Sequence, residues 1–231
     1  MTWAQAWIGH ASTVALAVVV AGVFARRRYR VWTLFAAFLA ATLVSSVMMG
    51  VWPSRFHRPA FWQAKEIALN LLRFGMALEL AYRTFRAFPG ALATLRWTLL
   101  LVLSATFVAV VAISGDRSDF HSFVTDFQPR VLNGSIWLFT AIAALILWYR
   151  LPVDSFHKAI LVGYVPFLLV FTVTMNVLGS LGWERGRFVT YLYQLAYLAL
   201  MIHWARAAWR RVEAPTRPPE VPSPAREPLS V

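Results

Sequence analysis

The sequence predicts an all-α, polytopic membrane helix bundle with seven transmembrane helices. Long apolar segments recur along the chain, short arginine-bearing connections separate them, and 59% of the 231 residues are hydrophobic. A helix rises ~1.5 Å per residue, so roughly 20 residues cross the ~30 Å hydrocarbon layer of a bilayer. Since unpaired backbone amides are too costly in hydrocarbon, each such segment must be helical.

The predicted spans take up almost the whole chain, which leaves no room for a separate soluble catalytic domain. The fourth span is short and reaches both surfaces only if Arg96 extends its side chain to the interface. The spans are Trp3–Ala25, Val31–Trp52, Phe61–Tyr82, Trp97–Ile113, Val131–Tyr149, Ala159–Trp183 and Phe188–Ala208.

The distribution of lysine and arginine predicts the orientation. Most of these residues fall on one side of the predicted spans, and the cluster Arg26–Arg30 contributes most to the difference. Positive residues favour the cytoplasmic side, so we expect the N-terminus outside and the C-terminus in the cytoplasm. The first apolar segment is followed, not preceded, by arginines, which is typical of an uncleaved anchor.

The chain divides into a seven-helix transmembrane domain, residues 1–211, and a tail, residues 212–231. The tail carries six prolines and no apolar period, so we expect a disordered cytoplasmic segment. In the loop Gly115–Arg130, phenylalanines recur at helical spacing, which predicts a short helix lying on the outer membrane surface. This helix would be either a connector or a lid over an outer pocket.

Several classes of site are excluded. The chain has no cysteine, which removes disulfides, thiolate metal sites and cysteine-bound clusters. The only lysines are Lys65 and Lys158, so the last span offers no retinal attachment. His10 and His203 lie at opposite membrane depths and cannot share a haem iron. Neither a zinc-hydrolase nor a serine-hydrolase motif occurs. We therefore predict no catalytic or metal-binding residues, identify no cofactor, and expect no nucleic-acid partner, because the basic residues lie at span ends.

Full charges at membrane depth occur in the third span. Glu66, Asn70 and Arg73 share one helical face, and Arg73 lies too deep to reach either surface easily. A buried guanidinium needs a partner, and we predict Glu66, bridged by Asn70. Arg73 either contacts a ligand in an outward-facing cavity or belongs to a charge clamp that fixes the packing of the span. Nearer the cytoplasm, we interpret Glu79, with Arg83 and Arg86, as an ordinary interfacial set.

Other polar residues within spans lie mostly toward the outer half of the membrane. Asn176, Tyr191 and Gln194 are among them, and together with the third-span residues they form the predicted ligand-binding set. An outward-open pocket and plain interhelical hydrogen bonding both explain such clustering. Pro166 is expected to kink the sixth span, either as a hinge or as a static bend.

Two stretches carry a resemblance to a family: RRRYRVWTLFAAFLA (Arg26–Ala40) and KEIALNLLRFGMALELAYRTFRAFPGA (Lys65–Ala91). Here a basic Tyr-Arg loop precedes the second span, and the third span holds a glutamate and ends in a basic, aromatic Pro-Gly turn. This layout resembles uncharacterised seven-span bacterial inner-membrane proteins, and also the seven-span sensor modules of bacterial signalling proteins. The resemblance implies a bacterial source, the inner membrane and the seven-helix fold.

The favoured hypothesis is a non-enzymatic inner-membrane protein that acts as a sensory or accessory subunit. It would bind a small molecule, a lipid or a membrane-protein partner through the outward-facing pocket. Two alternatives stay open. One is a small transporter with two three-helix halves around a linker helix, and the other is a structural subunit of a larger redox or photosynthetic membrane complex.

Overall fold

The computed structural model describes residues 3–56, 58–86, 97, 101, 104–105, 108, 128–185 and 187–210. Every regular element within these ranges is helical. The α-helices are α1 (Trp3–Ala25), α2 (Thr33–Val51), α3 (Pro53–Phe56), α4 (Pro59–Arg86), α5 (Gln128–Trp148), α6 (Ser155–Arg185) and α7 (Arg187–Trp209), and a 3₁₀ turn occupies Arg28–Arg30.

The prediction of an all-α fold is confirmed for the described residues. Four helices are long and apolar enough to cross a membrane, namely Trp3–Ala25, Thr33–Val51, Ser155–Leu178 and Phe188–Trp209. These helices are compatible with an integral membrane protein. Helix α5 contributes a shorter apolar stretch, Asn133–Trp148, and α4 is 28 residues long but carries several charged side chains.

Three predicted segments lie largely or wholly outside the described residues. They are the fourth span (Trp97–Ile113), the surface helix in Gly115–Arg130 and the tail of residues 212–231.

Six helices form a closed ring. Around it, α1 packs against α2, α2 against α4, α4 against α5, α5 against α6, α6 against α7, and α7 against α1. The first and last helices of the ring are therefore direct neighbours.

Contacts between helix ends give the direction of each helix in the ring. Gly22, near the end of α1, approaches Ala208, near the end of α7. Thr84, near the end of α4, lies 3.4 Å from His157, near the start of α6, and the His157 ring meets Trp32, which precedes α2. The short connection from α5 to α6 brings the end of α5 to the same level. We call this the basic end, since it carries Arg26, Arg27, Arg28, Arg30, Arg83, Arg86, Arg150, Lys158, Arg206 and Arg210.

Glycines allow two of the helix pairs to approach closely. A Cβ atom on Gly22 would lie 2.8 Å from Trp209 Nε1, and one on Gly163 would lie 2.8 Å from Leu200 Cδ1. Without a hydrophobic driving force between helices in lipid, close backbone approach through small residues is a main source of packing energy. Gly22 thus sets the α1–α7 contact, and Gly163 the α6–α7 contact.

The turn between α1 and α2 is held by Arg28, whose side chain is buried. Arg28 Nη2 donates to the Arg210 carbonyl at 2.7 Å, and the guanidinium lies 4.3 Å from the centre of the Phe156 ring. Burial lowers the pKa of Arg28 from its ordinary value, while Asp154 opposes that shift. The Arg28 side chain therefore connects the first turn to the start of α6 and to the end of α7.

Helix α6 continues through Pro166. Proline has no N–H to donate to the carbonyl four residues earlier, which belongs to Val162. The helix nevertheless runs on past the proline to Arg185.

Candidate functional site

A cavity of about 210 Å³ lies inside the ring, between α1, α2, α4, α6 and α7. Its wall combines aromatic rings with charged and hydroxyl-bearing side chains. The lining residues are Leu16, Phe38, Leu39, Thr42, Ser45, Ser46, Met49, Lys65, Glu66, Leu69, Arg73, Tyr164, Phe167, Phe171, Tyr193, Tyr197, Leu200, Met201 and Trp204.

Helical spacing explains why these side chains share one space. On α7, Tyr193, Tyr197, Leu200 and Trp204 follow one another at three- or four-residue steps, which places them on one face. The lining residues of α2 and α4 follow the same rule. Helices α2, α4, α6 and α7 thus each present one face to the cavity, and α1 contributes Leu16 alone.

Arg73 is the deepest charge in the cavity wall, with 7% of its surface exposed. Its Nε donates to the Tyr164 hydroxyl at 2.7 Å, and its Nη1 donates to Asn70 Oδ1. The guanidinium also lies 6.0 Å from the centre of the Phe38 ring. Because hydrogen bonds from a charged donor are stronger than neutral ones, these contacts fix the guanidinium in place.

Glu66 lies about two turns from Arg73 toward the start of α4 and is 9% exposed. Its Oε1 is 2.8 Å from Lys65 Nζ, and that ammonium lies 4.5 Å from the centre of the Trp62 ring. The two residues predicted to form a pair therefore line the same cavity. Lys65 is an ion-pair partner of Glu66 that the sequence analysis did not assign.

The lining residues carry a net positive charge. Lys65 and Arg73 contribute two positive charges and Glu66 one negative charge, so the described wall carries an excess of one. The groups hydrogen-bonded to Arg73, the Tyr164 hydroxyl and the Asn70 amide, are neutral. An electron-rich group entering the cavity would therefore find favourable electrostatics near Arg73.

Of the predicted ligand-binding residues, Glu66 and Arg73 line the cavity, and Asn70 supports Arg73 from behind. The other three are not among the described lining residues. Asn176 is exposed, and Tyr191 and Gln194 are half-buried. Gln194 directly follows Tyr193, so it points ~100° away from the lining face of α7. The prediction grouped these residues by their depth in the membrane. In the structure, a residue reaches the cavity only if it lies on the face of its helix that lines the cavity.

Sequence reasoning missed the tyrosines of the wall. Tyr193 and Tyr197 are four residues apart, and their rings, with those of Phe167 and Phe171, form an aromatic wall. Tyr164 contacts the rings of Phe139 and Trp204 with centroids 4.9 and 5.5 Å apart. The four-residue spacing of Tyr193 and Tyr197 could have indicated that they share one helical face. The same spacing identified the shared face of Glu66 and Asn70 in the sequence.

A second charged set lies at the basic end and performs a different task. The Glu79 carboxylate accepts the N–H groups of Thr33, Leu34 and Phe35 at 2.9, 3.1 and 3.3 Å. Arg83 donates to the Val31 carbonyl. Glu79 and Arg83 thus bind the start of α2, a more specific role than the interfacial set that the sequence suggested.

Comparison of the chain with protein-family models, with curated proteins and with solved structures finds no match. Within the described residues, no group of three or more histidine, aspartate or glutamate side chains is arranged to hold a metal ion. The candidate site is therefore defined by its own geometry: a small aromatic cavity with a fixed arginine.

Proposed function

We propose that this protein is a seven-span integral membrane protein that binds a small organic anion in the cavity around Arg73. In this proposal it lies in a bacterial inner membrane and serves as a sensory or accessory subunit. The observation that carries the proposal is a buried arginine, held by neutral partners, in the wall of a cavity with excess positive charge.

The seven-span topology is supported by the direction of the helices. Arg86 ends α4 at the basic end, whereas the 21-residue helix α5 begins with Gln128 at the opposite end and closes at Trp148. The intervening chain must therefore connect the two ends of the bundle, as the predicted fourth span would. The concentration of arginine at one end supports a cytoplasmic location for that end.

The charge of the wall favours an anionic ligand. A buried cation costs less free energy when an opposite charge lies close by, and the medium inside a helix bundle strengthens that attraction. A carboxylate next to Arg73 would supply this charge, with the hydroxyls of Tyr193 and Tyr197 available as donors. Arginine suits this task because its planar guanidinium matches the two oxygens of a carboxylate.

The size and composition of the wall limit the rest of the ligand. The cavity, at about 210 Å³, is smaller than the roughly 300–1,000 Å³ of sites for drug-sized molecules. Phe38, Phe167, Phe171 and Trp204 offer aromatic surface for ring stacking. A small aromatic or branched carboxylic acid therefore fits better than a sugar, a nucleotide or a whole lipid.

The experiment is a thermal unfolding series on the full chain in phosphatidylcholine nanodiscs, with benzoate, benzyl alcohol and benzylamine as probes. A ligand that binds only the folded state raises the unfolding temperature. We expect benzoate to raise it most, and this effect to disappear in Arg73→Gln. Arg30→Gln removes an exposed arginine at the basic end and serves as the matched control.

A second variant guards against a folding defect in Arg73→Gln. Ser46→Phe keeps all three charges of the wall but adds a ring to the cavity, so it should abolish stabilisation by every probe. Stabilisation by benzylamine in preference to benzoate would contradict the anion proposal. An equal benzoate effect in wild type, Arg73→Gln and Ser46→Phe would show that benzoate does not act through the cavity and would overturn the proposal.

A further inference from the structure

A second, larger concavity lies on the outside of the ring, between α5 and α6. It has a volume of about 580 Å³ and is separate from the cavity around Arg73. Apolar side chains line most of it, and two cations, Arg150 and Lys158, lie at its basic end. The lining residues are Ala143, Ile146, Leu147, Arg150, Leu151, Lys158, Leu161, Val162, Val165 and Pro166. We call this concavity the α5–α6 groove.

We propose that the α5–α6 groove binds one phospholipid with an anionic headgroup. The acyl chain would lie along the apolar wall, and the phosphate would lie between Arg150 and Lys158. Charge complementarity supports this occupant, because a strip of apolar surface that ends in two exposed cations matches the tail and head of such a lipid. Basic pockets between transmembrane helices on the cytoplasmic side are known to bind anionic headgroups.

The backbone conformation at Arg150 makes this residue a clean position for testing the proposal. Arg150 has φ 49°, in the left-handed region that favours glycine. It lies where α5 ends in a Schellman motif, with Leu151 N–H donating to the Ile146 carbonyl at 3.1 Å and Arg150 N–H to the Leu147 carbonyl at 3.4 Å. Glycine is the usual residue at this position. The structure instead places a cation there, at the mouth of the groove, despite the backbone strain.

The apolar wall of the groove is exposed on both helices. Val162 and Leu147 are 65% and 77% exposed, and Pro166 lies one turn beyond Val162 on the same face of α6. The Val162 carbonyl has lost its usual N–H partner to the proline ring. An acyl chain adapts to such a groove without needing a complementary surface.

The test is native mass spectrometry of the full chain, purified in detergent mixed with equal amounts of phosphatidylglycerol and phosphatidylcholine. We expect the wild type to retain phosphatidylglycerol preferentially. Each juxtamembrane cation contributes about fivefold to the binding of an anionic lipid. Arg150→Gly and Lys158→Gln should therefore each reduce this retention about fivefold, and the double variant should lose the preference.

Arg150→Gly separates lipid binding from folding, because glycine relieves the backbone strain and should fold at least as well as arginine. Its matched control is Arg27→Gly. Arg27 has φ 52°, also lies at the basic end, and is outside the groove. The proposal is overturned if Arg27→Gly loses as much phosphatidylglycerol as Arg150→Gly, if the double variant keeps the preference, or if a second copy of the chain replaces the lipid.

Discussion

The Glu79 side chain caps the helix that begins at Thr33, although the two residues are 46 positions apart. Thr33 N–H donates to Glu79 Oε1 at 2.9 Å, and the next two amides of α2 donate to Glu79 Oε2. The first amides of a helix have no partner within the helix, and α2 has no side-chain cap of its own at Trp32. A carboxylate from α4 therefore caps α2, whereas most helices are capped by a serine or an aspartate that directly precedes them in the sequence.

Glu79→Ala should lower the free energy of unfolding by about 0.5–2 kcal/mol, the usual range for losing a helix cap. Glu79→Gln should fall between alanine and wild type, because its amide oxygen keeps one acceptor but loses the charge. Unfolding of the purified protein in mild detergent by increasing amounts of dodecyl sulfate measures both. Equal stability of the alanine variant and wild type would show that water replaces the cap.

Arg28→Gln should destabilise the protein by about 2 kcal/mol, because a charged donor is lost from the buried contact with the Arg210 carbonyl. Arg30→Gln, in the same turn but exposed, should change the free energy of unfolding by less than about 0.5 kcal/mol. The same dodecyl sulfate titration compares the two variants. An equal loss of stability in both variants would show that the positive charge at the basic end stabilises the fold and that the buried contact of Arg28 does not.

Gly22→Ala should cost about 1–3 kcal/mol through overpacking. The new methyl group would lie 2.8 Å from Trp209 Nε1 and 3.0 Å from Ala208 Cβ, and the indole is held by a hydrogen bond to the Val18 carbonyl. Gly9→Ala, in the same helix with nothing within 4 Å of its new Cβ, should instead stabilise by about 0.5–1 kcal/mol. Thermal unfolding midpoints that move in the same direction for both variants would contradict the close contact.

Tyr164→Phe should lower the free energy of unfolding by about 1–3 kcal/mol, because Arg73 Nε then loses its acceptor inside the bundle. Tyr82→Phe removes a hydroxyl from a tyrosine that is 38% exposed and should have an effect below about 0.5 kcal/mol. The readout is the dodecyl sulfate midpoint. The absence of any difference between the two would show that the Tyr164 hydroxyl does not help to hold Arg73.

Hydrophobic runs were sufficient to place most of the helices. The predicted span Trp3–Ala25 matches α1, and the predicted boundaries of α2, α5 and α7 differ from the observed ones by three residues or fewer at each end. This agreement has a physical basis, since apolar length and flanking arginines are local properties of the chain. Helix α4 extends farther at both ends than predicted, from Pro59 to Arg86, and its last turn is polar because it holds Arg83 and Arg86.

The candidate site was only partly predictable. Glu66 and Arg73 stood out because charge is rare at membrane depth. The partners of Arg73 include Tyr164, which is 91 positions away, and no local pattern indicates which helices are neighbours. Tyrosine is common both in cores and at interfaces, so Tyr164 carried no signal until the ring order was known.

The packing of α1 against α7 has a consequence for how the protein is made. Helix α1 leaves the ribosome well before α7, the helix against which it packs most extensively. At roughly 5–20 residues per second, α1 waits on the order of ten to forty seconds before α7 is synthesised. During that time the groove at Gly22 is open and the Arg28 side chain has no Arg210 carbonyl to bind. A chain that has not yet reached the end of α7 therefore lacks the carbonyl acceptor that Arg28 has in the finished fold, although Phe156 is already available to its guanidinium.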